Sequence, residues 1–387
     1  MDTLVLTVKR ILAAAKDTAT ILLERSDGRP LDYRAGQFLT FLFPAGGATL
    51  DSGEDAGTVK HSDRQAFGFR SGRELRRSYS FSSTPGVDPI AAITVKRVIN
   101  GEVSRYLLDH LREGDELLSL PPAGRFVLDE PEIPAGESQR LFFIAAGSGM
   151  VPVFSLLKEA LLKKRDVRVV LISQFHDEES IPFKKELEGL TEKYRDHFRW
   201  INLLSTREGR LNNWWLEELL SELSADQALF YLCGPPAFMR MAVFTLRVMG
   251  FAGTQIRQEY FTIEYVPPPP LLTDTTPKKV TIRSAGKNAA ALSGAEGHHS
   301  GSQTDGYGAI IARFEIAWPV TILEAALNKG IPLPYSCRGG RCSTCVVRCL
   351  SGKVKMSINE VLTEKDLEDG LVLTCVGYAE TDISLEL

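Results

Sequence analysis

Cys337, Cys342 and Cys345 stand in C-x4-C-x2-C spacing, and Cys375 follows about thirty positions later. Four thiolates so spaced are the ligand pattern of a [2Fe–2S] cluster: three ligands come from one loop that wraps the irons, and the fourth returns from a distant segment. The loop, Tyr335-Ser336-Cys337-Arg338-Gly339-Gly340-Arg341-Cys342-Ser343-Thr344-Cys345, carries paired glycines that let the backbone turn tightly and amides that can donate to sulfur. A zinc site would more often show two short cysteine pairs. The chemistry expected here is the transfer of single electrons. Cys349 is a further cysteine in the same stretch and reads as a bystander, because the other four already complete the pattern.

A second group of residues suits a nucleotide. Ala145-Ala146-Gly147-Ser148-Gly149-Met150-Val151-Pro152 ends an apolar run and opens a helical one. Gly147 permits a tight turn, Gly149 lets backbone approach a pyrophosphate, and Pro152 suits the first turn of a helix whose N-terminus attracts anions. A short Gly-x-Gly is weak alone and gains weight from its strand–turn–helix setting. Farther on, the apolar run Ala228–Leu232 leads into Cys233-Gly234-Pro235-Pro236. This sets Cys233 at the carboxyl end of a strand, where open α/β sheets bind ligands, although a lone buried cysteine is more often structural. Ser205 and Arg207 follow the run Trp200–Leu204 and suit a ribose 2′-phosphate, as NADPH requires. Asp177 would instead accept from a free 2′-hydroxyl, as NADH requires, and the choice stays open.

A third group suits a flavin. In Arg77-Ser78-Tyr79-Ser80, Arg77 can pair with a phosphate, Tyr79 offers a ring to stack on isoalloxazine, and Ser80 can hydrogen-bond near the flavin N5. The same alternation fits an ordinary strand. Gly101, Val103 and Ser104 precede the helical stretch Arg105–Leu111 and can present donors to a pyrophosphate at its start.

The elements that must position these groups fall into three regions. The 387 residues predict about two or three domains. Up to about Val127, short alternating runs such as Gln37–Phe43 and Ala91–Val98 predict an antiparallel barrel or sandwich. From Gln139 to about Ile263, the runs Leu141–Ala145 and Val167–Ser173 alternate with the helical stretches Phe154–Leu162 and Phe183–Leu190, the pattern of a parallel sheet. Pro267 to Pro270 make a stiff linker, and the cysteine module runs from about Lys278 to Leu387. Two stretches rich in Gly, Ala, Ser and charge, 45–70 and 285–308, read as surface loops, with His298-His299 part of a polar loop rather than a metal site.

A net charge of −4 argues against nucleic acid or an anionic membrane as the main partner. No apolar run reaches the length of a membrane span, the alternating N-terminus reads as a strand rather than a signal peptide, and thiolate ligands favour a reducing compartment, so a cytoplasmic protein is expected. After Cys349 the module is acidic, with Glu360, Glu364, Asp366, Glu368, Asp369, Glu380 and Asp382 forming either a face that steers a basic partner or a solvated surface.

Taken in order, R-x-Y-S, G-S-G-M-V-P, C-G-P-P and the four cysteines resemble the ferredoxin–NADP reductase family with a plant-type [2Fe–2S] ferredoxin fused at the C-terminus. Such an arrangement is similar to the reductase components of phenylacetyl-CoA epoxidase and of ring- or steroid-hydroxylating oxygenases. The resemblance implies an antiparallel β-barrel FAD domain over 1–132, an α/β parallel-sheet NAD(P) domain over 138–265, a linker over 266–277 and an α+β β-grasp ferredoxin domain over 278–387. It implies that Arg77, Tyr79 and Ser80 hold FAD, that Gly147, Gly149, Pro152, Cys233 and Gly234 hold the nicotinamide nucleotide, and that Glu259 and Phe261 lie near the flavin. Tyr79, Ser80, Cys233 and Glu259 are then the catalytic candidates, and Cys337, Cys342, Cys345 and Cys375 the metal ligands.

A nicotinamide gives two electrons as one hydride, whereas a [2Fe–2S] cluster takes one at a time, and a flavin placed between them resolves the mismatch. The expected path is NAD(P)H to FAD to cluster to an oxygenase protein. Two alternatives are a general reductase of a ferredoxin, haem or hybrid-cluster protein, and a redox sensor without enzymatic turnover. The sensor lacks the basic recognition helix it would need to read DNA.

Overall fold

A computed structural model describes residues 3–43, 75–128, 139–163, 167–223, 225, 227–261, 268–283 and 310–387. The two stretches expected to be surface loops, and His298-His299 within one of them, lie outside the described residues.

The first region builds β1 (Leu4–Ala15), β2 (Thr18–Arg25), β3 (Phe38–Phe43), β4 (Leu75–Ser80), β5 (Ala91–Lys96), α1 (Glu102–Asp109) and β6 (Glu116–Ser119). Its strands pair antiparallel in the order β4-β3-β6-β1-β2-β5. A bridge between Phe81 and Ile93 joins the chain leaving β4 to β5, so the sheet curls closed as a barrel. Period-two alternation points Leu6 and Val8, Ile21 and Leu23, Leu39 and Phe41, and Ile93 and Val95 into one core. Helix α1 plugs that core with Val103 and Leu107. It begins at Glu102, three residues before the expected helical stretch, because Gly101 already takes the extended conformation of an N-cap.

The second region builds β7 (Gln139–Ala146), α2 (Met150–Lys163), β8 (Val167–Phe175), α3 (Lys184–Lys193), β9 (Phe198–Leu204), α4 (Asn213–Glu222), β10 (Leu229–Cys233), α5 (Pro236–Val248) and β11 (Ile256–Glu259). The five strands are parallel, in the order β11-β10-β7-β8-β9. Successive residues of β7 feed opposite layers. Leu141, Phe143 and Ala145 pack with α2 and α3, while Phe142, Ile144 and Ala146 pack with α4 and α5. Both faces are therefore covered, which is why these strands read as continuous apolar runs. The strand order reverses between β7 and β10, and a ligand crevice opens at the carboxyl ends of strands at such a reversal.

The third region builds β12 (Lys278–Arg283), β13 (Ile310–Ile316), α6 (Ile322–Asn328), β14 (Val346–Ser351), β15 (Val354–Met356), α7 (Glu364–Glu368), β16 (Leu371–Leu373), β17 (Gly377–Ala379) and β18 (Ile383–Glu386). A mixed sheet in the order β13-β12-β18-β14-β16 packs on α6, whose N-cap Thr321 accepts from the amide of Glu324. This is the α+β module expected. Its core draws only on residues from Val280 onward. The chain leading into it runs along its surface, with Trp318 Nε1 donating to the carbonyl of Pro270 at 3.0 Å and Lys355 Nζ to that of Leu271 at 3.3 Å.

The first two regions share a core. Ala35, Phe126 and Leu128, from the barrel side, belong to the cluster that also holds Val151, Phe154 and Leu157 of α2. Thr84 Oγ1 donates to the carbonyl of Ser155 at 2.8 Å, and buried Lys158 reaches Asp88.

Gly147 is left-handed at φ +55° with open space above it, as a tight turn requires. Gly149 carries a packing constraint that its spacing does not announce. A Cβ there would lie 2.1 Å from the carbonyl oxygen of Cys233 and 2.6 Å from the amide nitrogen of Gly234, so the glycine lets α2 pack closely on the end of β10. Gly149→Ala is expected to cost about 1–3 kcal/mol of unfolding free energy by forcing the β10 terminus away. Chemical denaturation of the variant and the parent checks this, and equal midpoints would contradict it.

Candidate functional site

The thiol loop is wound by left-handed residues: Arg338 (φ +55°), Gly340 (φ +73°) and Ser343 (φ +53°). The winding turns amides inward. Gly339 and Arg341 donate to Cys337 Sγ, and Cys337 donates to Cys342 Sγ, each at 3.4 Å. Cys375, one turn past β16, brings its Sγ to 3.3 Å from that of Cys345. Hydrogen bonds from Cys342 and Cys375 hold the Cys337 thiol well below the ordinary range, while Cys375 is pushed up by the same contacts with Cys337 and Cys345. Cys337 thus contacts both Cys342 and Cys375, and Cys375 also contacts Cys345, so the four thiols form one linked group. Their pairing, and the amides aimed at sulfur, fit a group with two irons. Cys349 stays apart on β14, its Sγ 3.3 Å from the carbonyl of Ser351.

Strand β4 lies against this loop. Ser78 Oγ contacts Ser336 Oγ at 2.6 Å, and Arg76 lies 4.0 Å from the centroid of the Tyr335 ring. Of the residues singled out on β4, Arg77 is exposed and donates to the carbonyl of Arg76, Tyr79 packs against the barrel core, and Ser80 is buried. Burial raises the Tyr79 hydroxyl well above its ordinary pKa. At the start of α1, no side chain caps Gly101, and Ser104 Oγ accepts from the amide of Val98 at 3.1 Å. A Cβ on Gly101 would lie 2.6 Å from Ser104 Oγ. The uncapped first turn is the kind of cradle a phosphate fits.

The third contributor is the carboxyl edge of the parallel sheet. Cys233 ends β10 and Glu259 ends β11, directly paired in register. Ser80 Oγ lies 3.4 Å from Glu259 Oε2, across 179 positions of sequence. Burial raises the Glu259 carboxyl to about 8, against a smaller opposing effect of Ser80. Burial, with Glu259 beside it, also holds the Cys233 thiol far up. Phe261 follows and is half exposed. Pro152 sits buried in the first turn of α2, and Gly234 lies under Phe238. Ser205 and Arg207 gather beyond β9, with Ser205 Oγ 3.4 Å from His176 Nδ1 and Arg207 Nη1 3.4 Å from Glu178 Oε1. Asp177 is engaged elsewhere: its carboxylate accepts from the amide of Ser180 at 2.9 Å and caps a short 3₁₀ turn.

The acidic stretch is not one face. Asp366 is buried against Arg125, and Glu360 pairs with Arg341 at 2.9 Å, whereas Glu364, Glu368 and Asp369 are exposed. Sequence reasoning gave no role to Arg76 or Tyr260, and none to Tyr335, Ser336 and Arg341 beyond membership of the thiol loop. Arg341 lies 5.4 Å from the Tyr260 ring and so ties the thiol loop to the end of β11. The available signal was adjacency, since each neighbours a motif residue already noted.

A closed barrel joined to a doubly covered parallel sheet, with a four-thiol loop on a third module, defines a pyridine-nucleotide oxidoreductase with its own iron–sulfur domain. The 2Fe-2S iron-sulfur cluster binding domain matches residues 311–380, and the oxidoreductase NAD-binding domain matches residues 143–243. Over 382 residues the chain is 30% identical to the ferredoxin reductase component of 3-ketosteroid-9-alpha-monooxygenase from Rhodococcus rhodochrous, covering 98% of this chain and 95% of that one. It is 30% identical over 319 residues to a component of the 1,2-phenylacetyl-CoA epoxidase of Escherichia coli, covering 79% of this chain and 81% of that one. Among solved structures, phthalate dioxygenase reductase superposes with a TM-score of 0.54 at 20% identity, over 100% of this chain and 98% of that one. An intact type IV self-sufficient cytochrome P450 monooxygenase superposes with a TM-score of 0.66 at 18% identity, and the present chain spans 41% of that longer protein. The structural likenesses bear on the fold. The chain belongs to the ferredoxin-reductase-type reductase components of oxygenases that carry a C-terminal 2Fe-2S domain. Among the described residues no helix is long and apolar enough to cross a membrane.

The raised Glu259 carboxyl has a stability consequence. Between its ordinary pKa of 4.5 and about 8 the unfolded chain sheds this proton while the folded chain keeps it, so folding loses stability as pH rises through that window. Glu259→Gln should match the parent at about pH 5 and exceed it by about 2–5 kcal/mol at about pH 9. Thermal melts at both pH values test this, and a difference independent of pH would contradict the assignment.

Proposed function

We propose that this chain accepts a hydride from NADPH on a bound FAD and passes electrons one at a time through a [2Fe–2S] cluster to the oxygenase component of a multicomponent mono- or dioxygenase. The acceptor class we put forward is that of the phenylacetyl-CoA epoxidase kind. The observation that carries this reading is the meeting at β4 of two separate groups. Cys233 and Glu259 reach its end through Ser80, and the thiol loop rests on its middle at Ser78. The domain limits proposed are 1–132, 138–265 and 278–387, with 266–277 as the linker.

The flavin, when bound, supplies the change from a two-electron to a one-electron carrier. The chain's own residues are assigned the positioning. Tyr79 and Ser80 address the flavin ring, and Arg77 with the first turn of α1 at Gly101, Val103 and Ser104 holds its pyrophosphate. Phe261 and the carboxyl edge of β10 shield the nicotinamide side. Cys233 and Glu259 keep their protons at neutral pH, so they present no negative charge beside the site of hydride transfer. Gly147 opens the turn over which the nucleotide phosphates lie, with Gly149, Pro152 and Gly234 holding that turn against the sheet. Cys337, Cys342, Cys345 and Cys375 hold the irons.

NADPH is favoured on Ser205 and Arg207, which stand beyond β9 with a hydroxyl and a guanidinium at one edge, the exposed guanidinium paired with Glu178, while the Asp177 carboxylate caps the turn at Ser180. Arg207→Ala should raise KM for NADPH about tenfold or more and leave that for NADH nearly unchanged, the scale of one charge-assisted hydrogen bond. Equal effects on both nucleotides would contradict that assignment. The path itself is tested by Cys342→Ser. Flavin reduction by NADPH should persist at the parent rate while reduction of a one-electron protein acceptor is lost. Loss of both in flavin-loaded, folded protein would overturn the order of carriers.

A further inference from the structure

The cluster-bearing module is seated differently from the other two. The barrel and the parallel sheet share an apolar core, whereas every side chain in the core of the third module comes from that module. Its seam with the rest of the chain is built from charge and hydroxyl groups. Ser78 Oγ meets Ser336 Oγ at 2.6 Å, one residue from Tyr79 on one side and one residue from Cys337 on the other. Two guanidinium groups lie against the Tyr335 ring, Arg76 of β4 at 4.0 Å and Arg338 of the thiol loop itself at 4.4 Å. Arg125, in the turn that follows the barrel, reaches Asp366 of α7. The second oxygen of Asp366 accepts from the amide and hydroxyl of Thr363, each at 2.9 Å, so the carboxylate is fixed in orientation before Arg125 meets it, and its side chain is 9% exposed.

We propose that Arg76, Tyr335, Arg125 and Asp366 are positioning residues that latch the cluster module against β4 and so set the gap the electron crosses between flavin and cluster. This rests on the electron-transfer reading above. Among the described residues the cluster module shares no apolar core with the rest of the chain, so these contacts, together with Arg341 at the Tyr260 ring, seat it, and transfer depends steeply on placement. A ring beside two cations and a partly desolvated ion pair each contribute on a scale that changes a docking equilibrium severalfold to tenfold. Because Arg125 remains partly exposed, added salt weakens the latch. The contact of Ser78 with Ser336 then lies on a short bonded route from Tyr79 to Cys337.

The test is anaerobic stopped-flow mixing of the full, flavin- and cluster-loaded chain with NADPH, following flavin and cluster absorbance separately. In Tyr335→Leu and in Arg125→Gln, flavin reduction should keep the parent rate while the flavin-to-cluster step slows about tenfold, the change that loss of one such contact produces. Tyr335→Phe, which keeps the ring, should restore the parent rate. Raising the salt should slow the flavin-to-cluster step in the parent more than in Arg125→Gln. Arg125 lies away from the cysteine loop, so its variant separates latching from any disturbance of the ligands. Parent-like flavin-to-cluster rates in both Tyr335→Leu and Arg125→Gln, with the cluster fully loaded, would overturn the latch and leave the electron path intact. Cluster bands that never bleach in the parent protein would overturn the electron path and the latch together.

Discussion

Electrons do not cross a wide gap at a useful rate, and that constraint organises this molecule. A strand of the barrel, the carboxyl edge of a parallel sheet and a cysteine loop from a third module all arrive at β4. Ser80 meets Glu259 at one end of the strand, and Ser78 meets Ser336 in its middle. Residues more than a hundred positions apart meet there because each module solves a local problem. A closed barrel leaves a strand end free to hold a ring, a switch in strand order opens a crevice, and a loop of left-handed residues turns its amides toward sulfur.

The two seams in the chain differ in kind. Between barrel and parallel sheet, Phe126 and Leu128 are packed into the core around α2, and buried Lys158 is paired with Asp88. Burial lowers the Lys158 ammonium from its ordinary range while Asp88 opposes that shift, as expected where a charge is held inside only by its partner. That seam suits two modules that must keep a nicotinamide and a flavin in register. The seam to the iron–sulfur module is polar, with contacts at the thiol loop and at Asp366 of α7. A protein that must receive an electron on one side and hand it to another protein gains from a rigid first contact and a lighter second one.

Much of this was legible in the residues because the relevant information was local. Three of the four thiols come from one loop, so their spacing alone specifies a wrap. Continuous apolar runs at Leu141–Ala145 and Val167–Ser173 marked strands buried on both faces. What escaped was long-range or depended on backbone conformation. Gly149 read as a place for a phosphate to approach, and its missing Cβ also makes room for the carbonyl of Cys233. Spacing does not reveal which neighbouring chain lies above a glycine. The acidic residues after Cys349 read as one surface, but Asp366 and Glu360 turn toward Arg125 and Arg341, and charge composition does not say which way a side chain faces. Arg77 drew notice for its motif, while its neighbour Arg76 is the one that meets the thiol loop, through the distant Tyr335 ring.

In the proposed path, electrons delivered as hydride reach the cluster through the flavin within this one chain. Low-temperature electron paramagnetic resonance of the flavin- and cluster-loaded chain, after anaerobic reduction with NADPH, reads that path at its end. Oxidised flavin absorbance should be lost together with the appearance of a reduced [2Fe–2S] signal approaching about one spin per chain, since each such cluster accepts a single electron. Bleached flavin beside a cluster that stays oxidised and silent would contradict it.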